Sequence, residues 1–354
     1  MEDQQSNDNI EKAKGLLNYK LIRRGAIIFF AITLIAFTTL FLYGNTGESL
    51  AELRKIKAYY IPIILGLVFF DWWIGGWRNT IFVRKVMPNA SQRICFDANL
   101  ANIFMGAVTP SQTGGGPMHL YMLYRKGLQL THGIALSVIN FISSIIFFIT
   151  SSGLALWYLK GAEINSTLFT LIKSGYTIFT SLFLFILFGM IAPQILSRAI
   201  SKFGGTIAGL FKNKKEKILN GVSSVNEKLF EYNATIKLFL RENPILFPYS
   251  LGITFIMYFN KFLVAFMIVK GLGYNGDFWS IISVQAITFF LLYFAPTPGG
   301  SGVAELSIAT LMTPFIPALG ITSFTILHRS FLLILPAIFG AFVVLKELKR
   351  HSEE

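Results

Sequence analysis

Cysteine is almost absent: Cys95 is the only one in the chain. That excludes an internal disulfide and any cysteine-based metal cluster. Histidine is scarce, with four residues and none at the spacing of an HExxH helix. No Walker A loop and no nucleophile elbow occurs. A primary, ATP-driven pump would therefore need a separate nucleotide-binding partner. Charge is also low. Asp, Glu, Lys and Arg make up 14% of the chain, against about a quarter in a soluble domain.

What fills the chain instead is apolar: 53% of its residues are hydrophobic. Several runs reach the ~20 residues needed to cross a bilayer. The net charge of +13 suits basic loops facing anionic lipid better than nucleic acid, which is not an expected partner. The N-terminal stretch MEDQQSNDNIEKAKGLLNYKLIRRG lacks the small-residue cleavage site of a secretory signal. It reads as a cytoplasmic tail over 1–24.

Apolar windows predict full spans near 25–43, 59–77, 131–159, 165–192, 245–269 and 318–343. Two further apolar regions, 94–124 and 278–317, are cut by Pro/Gly motifs. Their arms are about 16 residues each, too short to span well, and read as re-entrant hairpins. The class is thus an all-α polytopic membrane bundle: about six full spans plus two broken hairpins.

Lys and Arg orient it. Lys12, Lys14, Lys20, Arg23 and Arg24 precede the first span, and Arg78, Arg84, Lys85 and Arg93 follow the second. The run KNKKEK lies in the 193–243 loop, and KELKRHSEE ends the chain. With all these inside, only Arg54, Lys55, Lys57, Lys160 and Lys270 fall outside. This positive-inside asymmetry places both termini in the cytoplasm. Residues 25–160 and 161–343 then carry the same elements in opposite orientation, the inverted repeat of transporters, with 344–354 as a short tail. The 193–243 loop has amphipathic helical pattern with lysines on its polar face. It is expected along the inner membrane surface, in contact with anionic lipid.

The breaks VTPSQTGGG and PTPGGSG each set Thr-Pro before clustered glycines. Broken backbone at membrane depth persists only inside protein or around a wet cavity. Gly114, Gly115, Gly116, Gly299, Gly300 and Gly302 either converge their amides on an anion or simply permit a tight turn. Thr109, Ser111, Gln112, Thr113, Thr297 and Ser301 either meet a polar headgroup or cap half-helices. Four ionisable residues fall inside apolar segments: Asp71, Lys261, Glu305 and Arg329. Such residues are functional candidates by default, and two acids with two bases invite pairing. Glu305 also suits a helix N-terminus. His119, Tyr121, Tyr124, Trp72, Trp73 and Trp77 read as interfacial aromatics with no assigned chemistry.

The segments NIFMGAVTPSQTGGGPMHLYMLYRKG, PTPGGSGVAE and HRSFLLILPAIFG together resemble the flippase-like membrane domain of lysylphosphatidylglycerol synthases and its stand-alone relatives. The resemblance covers nearly the whole chain. It implies an integral-membrane unit that moves a lipid, such as an aminoacylated phospholipid, between leaflets. Pro110, Gly114 and Gly115 match the first motif of that family. Pro298, Gly299, Gly300, Gly302 and Glu305 match the second, and Arg329 matches the arginine of the final span. Where many members carry Arg and Glu around the first motif's glycine, this chain has Gln112 and Gly115, which leaves the headgroup open. The family's soluble transferase domain is expected to be absent, since the sequence stops shortly after its last span.

The expected function is a lipid translocator of the plasma membrane. Its substrate would be a phospholipid or another lipid-phosphate, contacted by Thr109, Pro110, Gln112, Gly114, Gly115, Thr297, Pro298, Gly299, Gly300, Gly302, Glu305 and Arg329. Asp71 and Lys261 are candidate charge partners. No catalytic residue, metal or cofactor is expected. The alternatives are a lipid-modifying membrane enzyme of the phosphatidylglycerol lysyltransferase type and an accessory subunit of such an enzyme. Self-assembly into a homo-oligomer is left open.

Overall fold

The computed structural model describes residues 51–159, 166–210, 215–293 and 295–353, with the single positions 27, 31 and 38 before them. The expected tail 1–24 and nearly all of the expected span 25–43 lie outside these. All regular structure among the described residues is helical. The elements are α1 (Tyr60–Val86), α2 (Gln92–Val108), α3 (Gly115–Tyr124), α4 (Leu130–Tyr158), α5 (Ser166–Ile191) and α6 (Pro193–Leu210). They continue with α7 (Lys215–Glu242), α8 (Leu246–Gly271), α9 (Phe278–Leu292), α10 (Val303–Leu311) and α11 (Ala318–Arg329). A π-helical turn (Ser330–Ile334) then joins α11 to α12 (Leu335–Glu353).

Five helical stretches are long and apolar enough to cross a bilayer: α1, α4, Ile172–Gly189 within α5, α8, and Leu319–Arg350 across α11 and α12. They correspond to five of the six expected spans. Helix α1 has 27 residues and so extends for about 40 Å, beyond the ~30 Å of hydrocarbon. The arms α2, α3, α9 and α10 have 17, 10, 15 and 9 residues and reach only about 13–26 Å. They fold back in pairs, α2 on α3 and α9 on α10, as short-armed hairpins.

Two boundaries differ from expectation. Helix α1 does not stop near 77 but runs to Val86, because no breaker interrupts it before the Met87–Pro88 turn. Arg78 therefore sits within the helix. At the other end, α12 continues through 344–353 without a break, so the expected tail is the last turns of the final helix.

Packing is layered around α8, α9 and α4. A large buried cluster joins Ile64, Val68 and Trp72 of α1 to Phe147 and Phe148 of α4, Phe262 and Ile268 of α8, and Phe290 of α9. A second cluster surrounds the first hairpin, with Phe104, Met118, Leu123, Ala337 and Val344. Here α12 approaches α2 very closely. A side chain at Gly340 would collide with the carbonyl oxygen of Leu100 and lie 2.7 Å from Phe104 Cβ. Outward faces carry exposed Phe69, Phe70, Trp73, Leu154, Trp157 and Phe342, as a lipid-facing surface requires. The basic 193–243 region forms α6 and α7, which pack on one another. Phe203 and Ile207 are exposed there.

Candidate functional site

The first break turns on two non-glycine residues in left-handed conformation, Ser111 (φ 49°) and Gln112 (φ 56°). Such backbone costs about 1–3 kcal/mol per residue and concentrates at functional sites. Local bonds hold it. Thr109 Oγ1 donates to Met105 O at 2.6 Å and accepts from Gly114 N–H at 2.8 Å. Gly115 N–H reaches Gln112 O at 3.2 Å, and Thr113 Oγ1 reaches Pro110 O at 2.9 Å.

The second break places Gly299, Gly300 and Gly302 at φ 61°, 67° and 88°, where a Cβ is strained. Gly300 N–H donates to Thr297 O at 3.0 Å, and Thr297 Oγ1 to Ser301 O at 2.6 Å. Glu305 Oε2 accepts the Gly302 N–H at 2.6 Å and so caps α10.

The two breaks touch. Pro110 and Pro298 form an isolated antiparallel bridge. The Ser111 N–H and hydroxyl both point at Ala295 O, at 3.2 and 3.3 Å. Sequence reasoning left the glycine amides between two uses. The amides of Gly114, Gly115, Gly300 and Gly302 all close bonds within their own hairpins.

The four ionisable residues form two acid–base pairs. Lys261 of α8 is ion-paired with Asp71 of α1. Asp71 is buried, and its Oδ1 has no hydrogen-bond partner. Arg329 Nε lies 3.3 Å from Glu305 Oε1, and its Nη2 donates to Ser301 Oγ at 3.3 Å. Arg329 is itself buried, at the last turn of α11 immediately before the π turn. Such turns commonly mark functional sites.

Three features were not legible in the sequence. His328 Nε2 lies 3.0 Å from Gln285 Oε1, while Gln285 Nε2 faces Met312 Sδ. The amide therefore accepts from His328, whose Nδ1 has no hydrogen-bond partner. Next, a buried chain of neutral groups crosses α1, α3, α4 and α8. Ser250 Oγ donates to Asn140 Oδ1 and Asn140 Nδ2 to Asn79 Oδ1, each at 2.9 Å. Asn79 Nδ2 lies 3.0 Å from His119 Nε2. Since Asn79 Oδ1 already accepts, its Nδ2 donates, and His119 Nε2 is the acceptor. The third is Arg78. Its Nη1 donates to Thr254 Oγ1 of α8 at 3.0 Å. Cross-helix contacts between neutral residues leave no periodic trace, and Arg78 looked like an interfacial cation at the end of a span.

These groups surround a cavity of about 520 Å³. Of the residues expected from sequence, Gln112, Gly299, Arg329, Asp71 and Lys261 line it. So do Ser111, Thr113 and Gly116. Thr109, Pro110, Gly114, Gly115, Thr297, Pro298, Gly300, Gly302 and Glu305 are not in its wall. They build the turns behind it, and Glu305 acts on it through Arg329. Arg78, Asn79, Asn99, Asn102, His119, Asn140 and His328 complete the polar wall; Phe141, Phe148, Tyr258, Phe289 and Tyr293 form an aromatic one. Among the described residues no group of three or more His, Cys, Asp or Glu could hold a metal ion.

Residues 26–340 match the family described as the lysylphosphatidylglycerol synthase TM region. That is most of the chain, and the chain belongs to this family. It is also similar to a UPF0104 membrane protein of Archaeoglobus fulgidus. The two are 26% identical over 303 residues, which make up 83% of this chain and 87% of that protein. The protein is thus a lipid-related, multi-pass membrane protein.

Proposed function

We propose that this family member is a lipid translocator. The lipid headgroup occupies the polar cavity between the two broken hairpins while its acyl chains stay in the bilayer. The observation that carries this reading is the cavity wall, which joins charged and amide side chains to the tips of both hairpins inside an otherwise apolar bundle. A water-filled cavity bounded by irregular backbone is what a polar headgroup needs to cross hydrocarbon. The positive-inside distribution supports cytoplasmic termini, and the reading sets the protein in the plasma membrane. Anionic lipid would meet the basic faces of α6 and α7.

In reconstituted vesicles, the protein should speed leaflet exchange of a labelled phospholipid. Arg329→Ala should slow it at least about tenfold by removing a cavity charge. Unchanged exchange in a folded Arg329→Ala variant removes Arg329 from the mechanism.

The family description, which refers to a synthase, favours a second reading: a membrane enzyme of lipid modification, or a subunit of one. Mass spectrometry of membrane lipids with and without the gene separates the readings. A lipid species made only with the gene supports the enzyme. An altered leaflet distribution of unchanged species supports the translocator.

A further inference from the structure

The cavity holds three cationic side chains, Arg78, Lys261 and Arg329. Two of them already have carboxylates: Lys261 has Asp71, and Arg329 has Glu305. Arg78 does not. Its protein hydrogen bond goes to the neutral hydroxyl of Thr254, and its buried Nε has no partner. Among the described residues no carboxylate lies within ion-pair distance of it. Asp71, seven residues earlier on the same face of α1, is engaged by Lys261.

A guanidinium keeps its charge at any physiological pH. A charge at membrane depth without a counter-charge is expensive, and the usual remedy is a partner. We infer that Arg78 is the anchoring residue for the phosphate of an anionic headgroup, which supplies the missing counter-charge. This deepens the translocator reading and rests on it. The guanidinium fork suits two phosphate oxygens at once.

The surroundings narrow the ligand further. The wall that Arg78 shares also carries neutral amides and hydroxyls, among them Asn79, Asn140 and Ser144. These groups can hydrogen-bond hydroxyls. Three cations against two carboxylates leave one net positive charge, which a headgroup carrying its own ammonium would not neutralise. The class selected is a lipid phosphate with an uncharged, hydroxylated headgroup.

The test uses the full chain in neutral detergent and native mass spectrometry. The probes are dioctanoyl phosphatidylglycerol, dioctanoyl phosphatidylcholine and inorganic phosphate. Wild type should hold the glycerol lipid at least about tenfold more tightly than the choline lipid. Arg78→Gln should lose that preference. Arg78→Lys, which keeps the charge without the fork, should reduce it about threefold or more. Equal binding of both lipids by wild type overturns the inference, as does a preference unchanged in Arg78→Gln. If Arg78→Gln does not fold, an unchanged preference in Arg78→Lys overturns it. Phosphate that binds wild type and not Arg78→Gln, while neither lipid binds, supports the anion anchor and removes the lipid reading beneath it.

Discussion

Ser111 directs both its amide N–H and its hydroxyl at the carbonyl oxygen of Ala295, 184 residues further along the chain. Each hairpin break therefore satisfies backbone groups of the other, and neither tip needs lipid or bulk water at that point. Ser111, Gln112 and Gly299 line the cavity from this seam. The same contact that stabilises the broken backbone also places it against the polar space.

The Asp71–Lys261 pair should dominate local stability. Asp71→Asn leaves Lys261 without its counter-charge at a mostly buried position, at a cost of about 3 kcal/mol. Asp71→Asn with Lys261→Met removes both charges and should recover most of the loss. The midpoint of thermal unfolding in detergent measures both. A single variant as stable as wild type would contradict the pairing.

Glu305 has two duties, and two substitutions separate them. Glu305→Gln keeps an oxygen for the Gly302 amide but removes the charge beside Arg329, costing about 3 kcal/mol. Glu305→Ala loses the cap as well, for about 1 kcal/mol more. Thermal unfolding of the two variants should rank them in that order.

Close packing of α12 on α2 predicts an intolerant glycine. Gly340→Ala would gain about 1 kcal/mol of helix propensity. Against this, the methyl meets the Leu100 carbonyl and Phe104 Cβ, and overpacking of that kind costs about 1–3 kcal/mol. A lowered unfolding midpoint is expected; a raised one would mean the helices can separate freely.

Asp277 caps α9 outside the apolar segments. Its Oδ2 accepts from the Ser280 N–H at 2.8 Å and the Ser280 hydroxyl at 2.9 Å. The backbone bond, then the hydroxyl, hold its carboxyl below the ordinary value of 3.8. A depressed folded value means the cap contributes fully above the unfolded value. The contribution is lost as pH falls below about 3.8 and through the folded value. The protection of the first-turn amides of α9, relative to their intrinsic exchange rate at each pH, should fall over that window, and Asp277→Asn should remove that fall.

Five of the six expected spans and both hairpins were legible because hydrocarbon thickness and Pro/Gly breaks act along one dimension. Asp71, Lys261, Glu305 and Arg329 stood out because charge in apolar sequence is rare. Sign alone invites acids to meet bases, but which acid meets which base came only with the fold. Arg78 was hidden because a cation near a span end looks interfacial until the helix is seen to continue to Val86. The His119–Asn79–Asn140–Ser250 chain was hidden for another reason: neutral groups from four helices are joined only by tertiary folding. The glycines announced a turn, but which amides the turn would use depended on Thr109, Thr297 and Glu305 folding back on them.

The central claim is that the cavity carries a headgroup across the bilayer. Its most direct test is a phospholipid labelled on the headgroup, in vesicles with and without the protein, quenched by a reductant that cannot cross the membrane. The account predicts that label in the inner leaflet becomes accessible faster in protein-containing vesicles. Equal rates with and without protein, in vesicles that remain sealed, would contradict it.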